Sequence, residues 1–173
     1  MYDRILVPTD GSAEGERAVE HALELARTHG AAVLAVYVVN TAGYSGLPME
    51  TAWEGISDAL WAEGEAAVDR VVTLADAYDL EVETVVLEGA PSRQIVALGT
   101  RRDCDLIVMG THGRGGLNRL LLGSVAERVV RNSSMPVLTV QVGEVPSSVG
   151  VDASGELESE TERETKTLLE STE

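Results

Sequence analysis

Leu106-Ile107-Val108-Met109-Gly110-Thr111-His112-Gly113, with Gly123-Ser124 after it in the spacing Gly-x2-Gly-x9-Gly-Ser, is the stretch from which the rest of the chain can be read. The apolar run is unbroken rather than alternating, which suits a strand covered on both faces, as in a parallel sheet. Glycines then fall where that strand ends and again where a helix could begin. Glycine lets the backbone turn tightly and approach a bulky anion. A helix start adds N–H groups and the positive end of the helix dipole. The stretch therefore predicts a strand, a phosphate-accepting loop and a helix.

The same reading extends in both directions. Arg4 to Pro8 is a short apolar run closed by proline, and Thr9-Asp10-Gly11-Ser12 follows as a turn with Ser12 as the natural N-cap of a first helix. Ala18, Val19, Ala22, Leu23, Leu25 and Ala26 recur at helical spacing, and Gly30 supplies the stop. Ala32 to Val39 is a second unbroken run, residues 40–50 read as a loop, and a long helical pattern covers about Thr51 to Tyr78. Val82 to Leu87 is a third strand, and Pro91 or Ser92 opens a third helix. Leu106 to Met109 is the fourth strand, about Leu120 to Arg131 the fourth helix, and Pro136 to Val142 a fifth strand. Strictly alternating strands and helices predict an α/β fold with a parallel sheet flanked by helices.

Among 173 residues there are 29 acids and 13 bases, a formal charge of −16. Such a surface repels nucleic acid and anionic lipid. Two tryptophans, four tyrosines and no phenylalanine leave few platforms for stacking bases. Neither a membrane span nor a signal-peptide layout is present, and the one cysteine, Cys104, is expected as a small core residue. A cytoplasmic location is the expectation. Lys166 is the only lysine, and this acid-rich, lysine-poor balance resembles that of proteins from salt-accumulating organisms, with an ordinary acidic cytoplasmic protein as the alternative. From residue 143 apolar periodicity fades and nine acids face Arg163 and Lys166. The expected organisation is an α/β domain over 1–142 and an acidic, disordered tail over 143–173.

Two loops should meet if the sheet is doubly wound: Pro8-Thr9-Asp10-Gly11-Ser12 after the first strand and Gly110 to Gly116 after the fourth. Gly110 and Gly113 would admit the phosphate chain, Gly123 and Ser124 would present N–H groups and a hydroxyl, and Arg114 would contact a terminal phosphate. Plainer readings stand beside these. Ser124 and Glu127 have the spacing of a capping box that needs no ligand. Asp10 starts an Asx turn, or holds a magnesium ion through water, or touches the nucleotide. His112 is an incidental exposed loop histidine or a catalytic one, and His21 and His29 are structural or solvated.

Absent motifs narrow the chemistry. A Walker A loop needs a Gly-Lys pair, and the only lysine lies in the tail. No Gly-x-Gly-x-x-Gly follows the first strand, and no Gly-x-Ser-x-Gly elbow occurs.

Ile5 to Ser12, Asp105 to Gly113, Leu121 to Glu127 and Pro136 to Val140 together resemble the universal stress protein family over about residues 1–142. The resemblance implies a five-stranded parallel sheet in the order 3-2-1-4-5, Rossmann-like and close to the adenine nucleotide alpha hydrolase type. The intact glycine-serine pattern implies the ATP-binding branch. Carried over by position, Pro8, Thr9 and Asp10 would line the nucleotide site and Val38 would touch adenine. Met109, Gly110, His112, Gly113 and Arg114 would wrap ribose and phosphates, with Gly123, Ser124 and Val125 closing the pocket. Family members also imply a homodimer through the fifth strand, here about Val137 to Val142, which would cover an apolar edge.

The function expected is a dimeric ATP-binding stress or signalling module, with Mg2+ accompanying ATP, at most slow hydrolysis, no catalytic residue and a downstream protein partner. An adenylyl-transferring or ATP-pyrophosphatase enzyme, and a nucleotide-free interaction scaffold, are the rival readings. The enzyme reading is weakened because Thr9-Asp10-Gly11-Ser12 offers neither a Ser-Gly-Gly-x-Asp loop nor a His-x-x-His pair.

Overall fold

In the computed structural model the apolar runs pair into one sheet whose neighbours are all parallel, in the order β3-β2-β1-β4-β5. Residues 1–40, 50–112 and 122–141 are described, with the backbone alone for 50–56. All of them belong to a compact unit over Met1–Gly143; residues 144–173 form a second unit, outside the described residues. The strands are β1 (Arg4–Pro8), β2 (Ala32–Val39), β3 (Val82–Glu88), β4 (Leu106–Gly110) and β5 (Val137–Val140). Between them run α1 (Ala13–His29), α2 (Glu50–Ala75), α3 (Pro91–Arg101) and α4 (Ser124–Asn132). A single 3-10 turn, Asp76–Tyr78, finishes the long second helix.

Side chains alternate across each strand, and this sorts the helices onto two faces. Ile5 and Val7 of β1 pack with Val19, Leu23 and Ala26 of α1 and Val71 and Ala75 of α2. Leu6, between them, points the other way, to Ile95 and Leu98 of α3 and Ala126 and Val129 of α4. Ile5, Leu6, Leu23, Leu34 and Ile107 are fully buried. Removing one such side chain to alanine costs about 2–5 kcal/mol. The first two crossover helices therefore cover one face and the last two the other. That reversal puts the switch point between β1 and β4.

Local chemistry explains the element ends. Ser12 caps α1, its hydroxyl accepting the Gly15 N–H at 3.1 Å, and Glu14 and Glu16 occupy the first turn where the dipole favours acids. Gly30 closes the helix in the left-handed conformation, as the sequence predicts. Gly64 lies inside α2 because the Tyr37 ring of β2 presses on it. A Cβ there would stand 2.8 Å from Tyr37 Cδ1. Cys104 is buried at the foot of β4, and burial pushes its thiol pKa up, consistent with an inert core residue.

The fourth helix departs from the expectation. It starts at Ser124, not near Leu120, and its N-cap is Gly123. Ser124 is thus the first helical residue and the predicted Ser124–Glu127 capping box does not form. Glu127 instead accepts from Arg131, one turn along, at 2.6 Å. The apolar Leu120-Leu121-Leu122 run had read as the opening of the helix; Leu122 lies before it and is exposed, and 113–121 lie outside the described residues. The fifth strand is shorter than predicted, ending at Val140 rather than Val142.

Candidate functional site

β1 and β4 are adjacent and parallel, so the segments that leave their carboxyl ends emerge side by side. The register pairs Ile5 with Leu106 and Leu6 with Ile107, and no further pair follows. By contrast β1 stays paired with β2 through Pro8–Val36, and β4 with β5 through Gly110–Val140. The ladder between the two central strands stops at Leu6 and Ile107 because Pro8, next in line to face β4, has no N–H to donate, while each strand stays bonded further along to its outer neighbour. The crevice outside the carboxyl ends at such a switch point is where open α/β sheets hold their ligands.

On the β1 side the turn is built from its own side chains. The Thr9 N–H donates to Val36 O at 2.9 Å, tying the turn to β2, and Thr9 Oγ1 accepts the Gly11 N–H at 3.1 Å. Asp10 Oδ1 accepts both the Ser12 N–H at 3.1 Å and the Ser12 hydroxyl at 2.7 Å, which is an Asx turn. The same oxygen would stand 3.0 Å from a Cβ placed on Gly15. A carboxylate of the chain itself, with the Ser12 hydroxyl, thus occupies the N-terminus of α1.

On the β4 side the arrangement is different. The Gly123 N–H donates to Thr111 O at 2.7 Å, bringing the start of α4 against the end of β4. A Cβ on Gly123 would lie 2.9 Å from that carbonyl oxygen and 3.4 Å from His112 Cα, so only glycine fits between the two backbones. Among the described residues no side chain caps α4. Its first turn thus presents N–H groups and a positive dipole end to the crevice. The Thr111 N–H is itself held by Val140 O at 2.9 Å, and His112 Nδ1 lies 3.0 Å from Thr111 Oγ1.

The structure brings several candidate residues together. Thr9 and Asp10 stand at the end of β1, and Gly110 and His112 at the end of β4. Gly123, Ser124 and Val125 open α4, and Pro8 closes β1, half-buried. Val38 and Val125 are partly buried against one cluster on the α3–α4 face, and Met109 belongs to it with 6% of its surface exposed. Met109 can therefore meet a ligand chiefly through its main chain. Gly113 and Arg114 lie outside the described residues. Thr111 escaped the sequence reading. It acts through its carbonyl oxygen, which no side-chain pattern announces, and only its position between Gly110 and His112 marked it.

For a divalent ion the fit is limited. Among the described residues no group of three His, Cys, Asp or Glu side chains converges. Asp10 is a single carboxylate, which matches a magnesium ion carried mainly by phosphate and water rather than a protein-built cage. Among the described residues no helix is long and apolar enough to cross a membrane.

Comparison with known proteins agrees with this fold. The model of the universal stress protein family matches residues 1–141. The universal stress protein MJ0531 of Methanocaldococcus jannaschii is 45% identical over 141 residues, 82% of this chain and 83% of that protein. The solved structure of the hypothetical protein MJ0577 superposes with a TM-score of 0.74 at 28% identity, over 84% of this chain and 99% of that one. A universal stress protein solved in complex with cAMP superposes with a TM-score of 0.60 at 26% identity, over 82% of this chain and 98% of that one.

Proposed function

The chain belongs to the universal stress protein family, and from that premise we propose that it binds ATP in the crevice between β1 and β4 as a stress-response or signalling module. The observation that carries this reading is the N-terminus of α4, capped by no described side chain and drawn against the end of β4 by the bond from Gly123 to Thr111 O. The main-chain amides of Ser124 and Val125, with the Ser124 hydroxyl, would take the phosphates. Gly110, His112, Gly113 and Arg114 would line the path to them, and Val38 and the Met109 main chain would meet the adenosine end. A relative solved with cAMP supports adenine nucleotides as the ligand class.

Mg2+ would arrive with ATP and neutralise phosphate charge, with Asp10 touching it through water. Asp10 already holds Ser12, so its part is to orient rather than to chelate. Lys166, the only lysine, belongs to the tail, and the proposed cradle is made largely of backbone. Binding with at most slow turnover is the expectation, because the proposed roles of its described residues include no general base. Occupancy would then favour one arrangement of the crevice and alter the surface offered to a protein partner.

The proposed assembly is a homodimer through β5, an edge strand. Pro136 O and Val140 O bond toward β4, so the main-chain groups of Val137 and Thr139 face away from it. Thr139→Pro would remove an outward N–H and is expected to convert dimer to monomer in sedimentation. An unchanged sedimentation coefficient would refute this interface. Equilibrium titration of purified protein with ATP tests the main reading, with Gly113→Val as the loop control. Saturable binding that the substitution weakens is expected. Equal affinity in both would remove the proposed cradle. Adenine nucleotide released by denaturing the purified protein would further separate this reading from a nucleotide-free scaffold.

A further inference from the structure

The amino ends of β1 and β4 are fastened by a cluster that the nucleotide reading leaves unused. Asp105, directly before β4, accepts the Asp3 N–H at 2.7 Å and the Arg4 N–H at 2.9 Å on one oxygen, Oδ2. Its own N–H donates to Arg4 O at 2.9 Å. Arg4 Nη1 reaches across to Arg102 O at 2.8 Å, and Arg102 is paired in turn with Glu83. Asp3 O accepts the Ala32 N–H at 2.9 Å, so the clamp also rests on β2. From this foot the ladder between β1 and β4 runs only through Leu6 and Ile107, because Pro8 has no N–H with which to extend it.

We propose that Asp105 is a positioning residue for the nucleotide crevice, a clamp at the amino end of the short β1–β4 ladder that fixes how the Thr9–Asp10 and Thr111–His112 segments are set against each other at its carboxyl end. The proposal rests on the nucleotide reading for its functional consequence, and on the hydrogen bonds alone for its mechanical part. With two paired positions between them, the central strands have little ladder of their own to hold register. Each is gripped more extensively by its outer neighbour. Releasing the foot lets each half of the sheet follow its outer partner, and the spacing of the crevice walls drifts. A phosphate held by amides on one wall and a nucleoside held by the other depend on that spacing.

The test compares Asp105→Ala, Asp105→Asn and Glu16→Ala well below their melting temperatures. Glu16→Ala breaks an ion pair with Arg70 between α1 and α2, away from the β1–β4 ladder, and controls for stability. The alanine variant is expected to bind ATP about tenfold more weakly, the scale of losing a hydrogen-bonded charged group. Asparagine, which restores an oxygen acceptor, should recover most of the affinity, and Glu16→Ala should leave it unchanged. A second readout needs no ligand: amide exchange at Leu6 and Val108, whose main-chain groups alternate toward the β1–β4 seam, should accelerate in Asp105→Ala and not in Glu16→Ala. Should Asp105→Ala bind ATP as the unaltered protein does, or leave those two amides protected, the clamp is overturned while the nucleotide reading stands. Should the unaltered protein bind no ATP, the nucleotide reading falls and the exchange measurement still decides the clamp.

Discussion

The first turns of α1 and α4 leave neighbouring strands at the same edge of the sheet, yet they are finished in opposite ways. α1 is closed by its own chain: the Ser12 hydroxyl takes the Gly15 N–H, and the Asp10 carboxylate takes Ser12 and stands over Gly15. α4 has a glycine at its N-cap and no capping side chain among the described residues. A helix start supplied with its own anion has little need of another, whereas one supplied with none can accept a phosphate. The contrast separates a turn closed by its own side chains from one that no described side chain closes, and it is why the proposal puts the phosphates at α4 rather than α1.

The most severe way to disturb the contrast is Gly123→Val. Even the first added carbon would stand 2.9 Å from Thr111 O, so either the helix start or the end of β4 must move. A loss of about 1–3 kcal/mol in denaturant unfolding is expected, on the scale of overpacking, together with loss of ATP binding. An unaltered midpoint would show that the two backbones are not in contact. Ser12→Ala should act on the other helix alone. It removes a cap worth about 1 kcal/mol and should leave ATP affinity within about twofold. A large loss of affinity at full folding would instead place phosphate at α1.

Ser124→Ala sharpens the comparison from the other side. Ser124 is the first residue of its helix and caps nothing, so stability should change by less than about 0.5 kcal/mol. ATP affinity should fall about threefold to tenfold if its hydroxyl meets phosphate, a value that calorimetric titration can resolve. The smallest effect expected is in acid. The Arg70 guanidinium, by hydrogen bond and charge, holds the Glu16 carboxyl below its usual range. A depressed carboxylate stabilises the fold above its unfolded pKa and loses that contribution as pH falls through the folded value. The melting-temperature gap between the unaltered protein and Glu16→Gln should therefore be constant above about pH 5 and close toward about pH 3. The pair is exposed, so the gap should be small, and a gap that widens in acid would contradict the assignment.

Most of the fold was legible because buried parallel strands carry unbroken apolar runs. Arg4–Pro8, Ala32–Val39, Val82–Glu88 and Leu106–Gly110 lie where those runs fall. The Ser12 cap was legible for the same local reason, a small hydroxyl residue placed before helical periodicity. Strand order was not contained in periodicity; it came with the family resemblance and is what the structure shows. The start of α4 was misplaced because three leucines have strong helical character, while what stops the helix short is a glycine at its N-cap. Gly123 was read as presenting an N–H group to phosphate, and that N–H donates to Thr111 O. Its immediate neighbour is instead the backbone of Thr111, a tertiary contact that no local pattern encodes. The sequence thus marked the residue and not the reason. Likewise Asp105 looked like an ordinary acid before a strand, and its hold on Asp3 and Arg4 depends on which strand lies beside β4.

The account rests on the open turn of α4 receiving phosphate, and a titration of isotope-labelled protein with ATP, followed amide by amide, tests this most directly. The largest shifts should fall on Ser124, Val125 and Ala126, with Thr111 close behind, while Gly15 at the capped start of α1 moves little. Shifts centred on Gly15 with α4 unmoved, or no saturable shift at all, would contradict it.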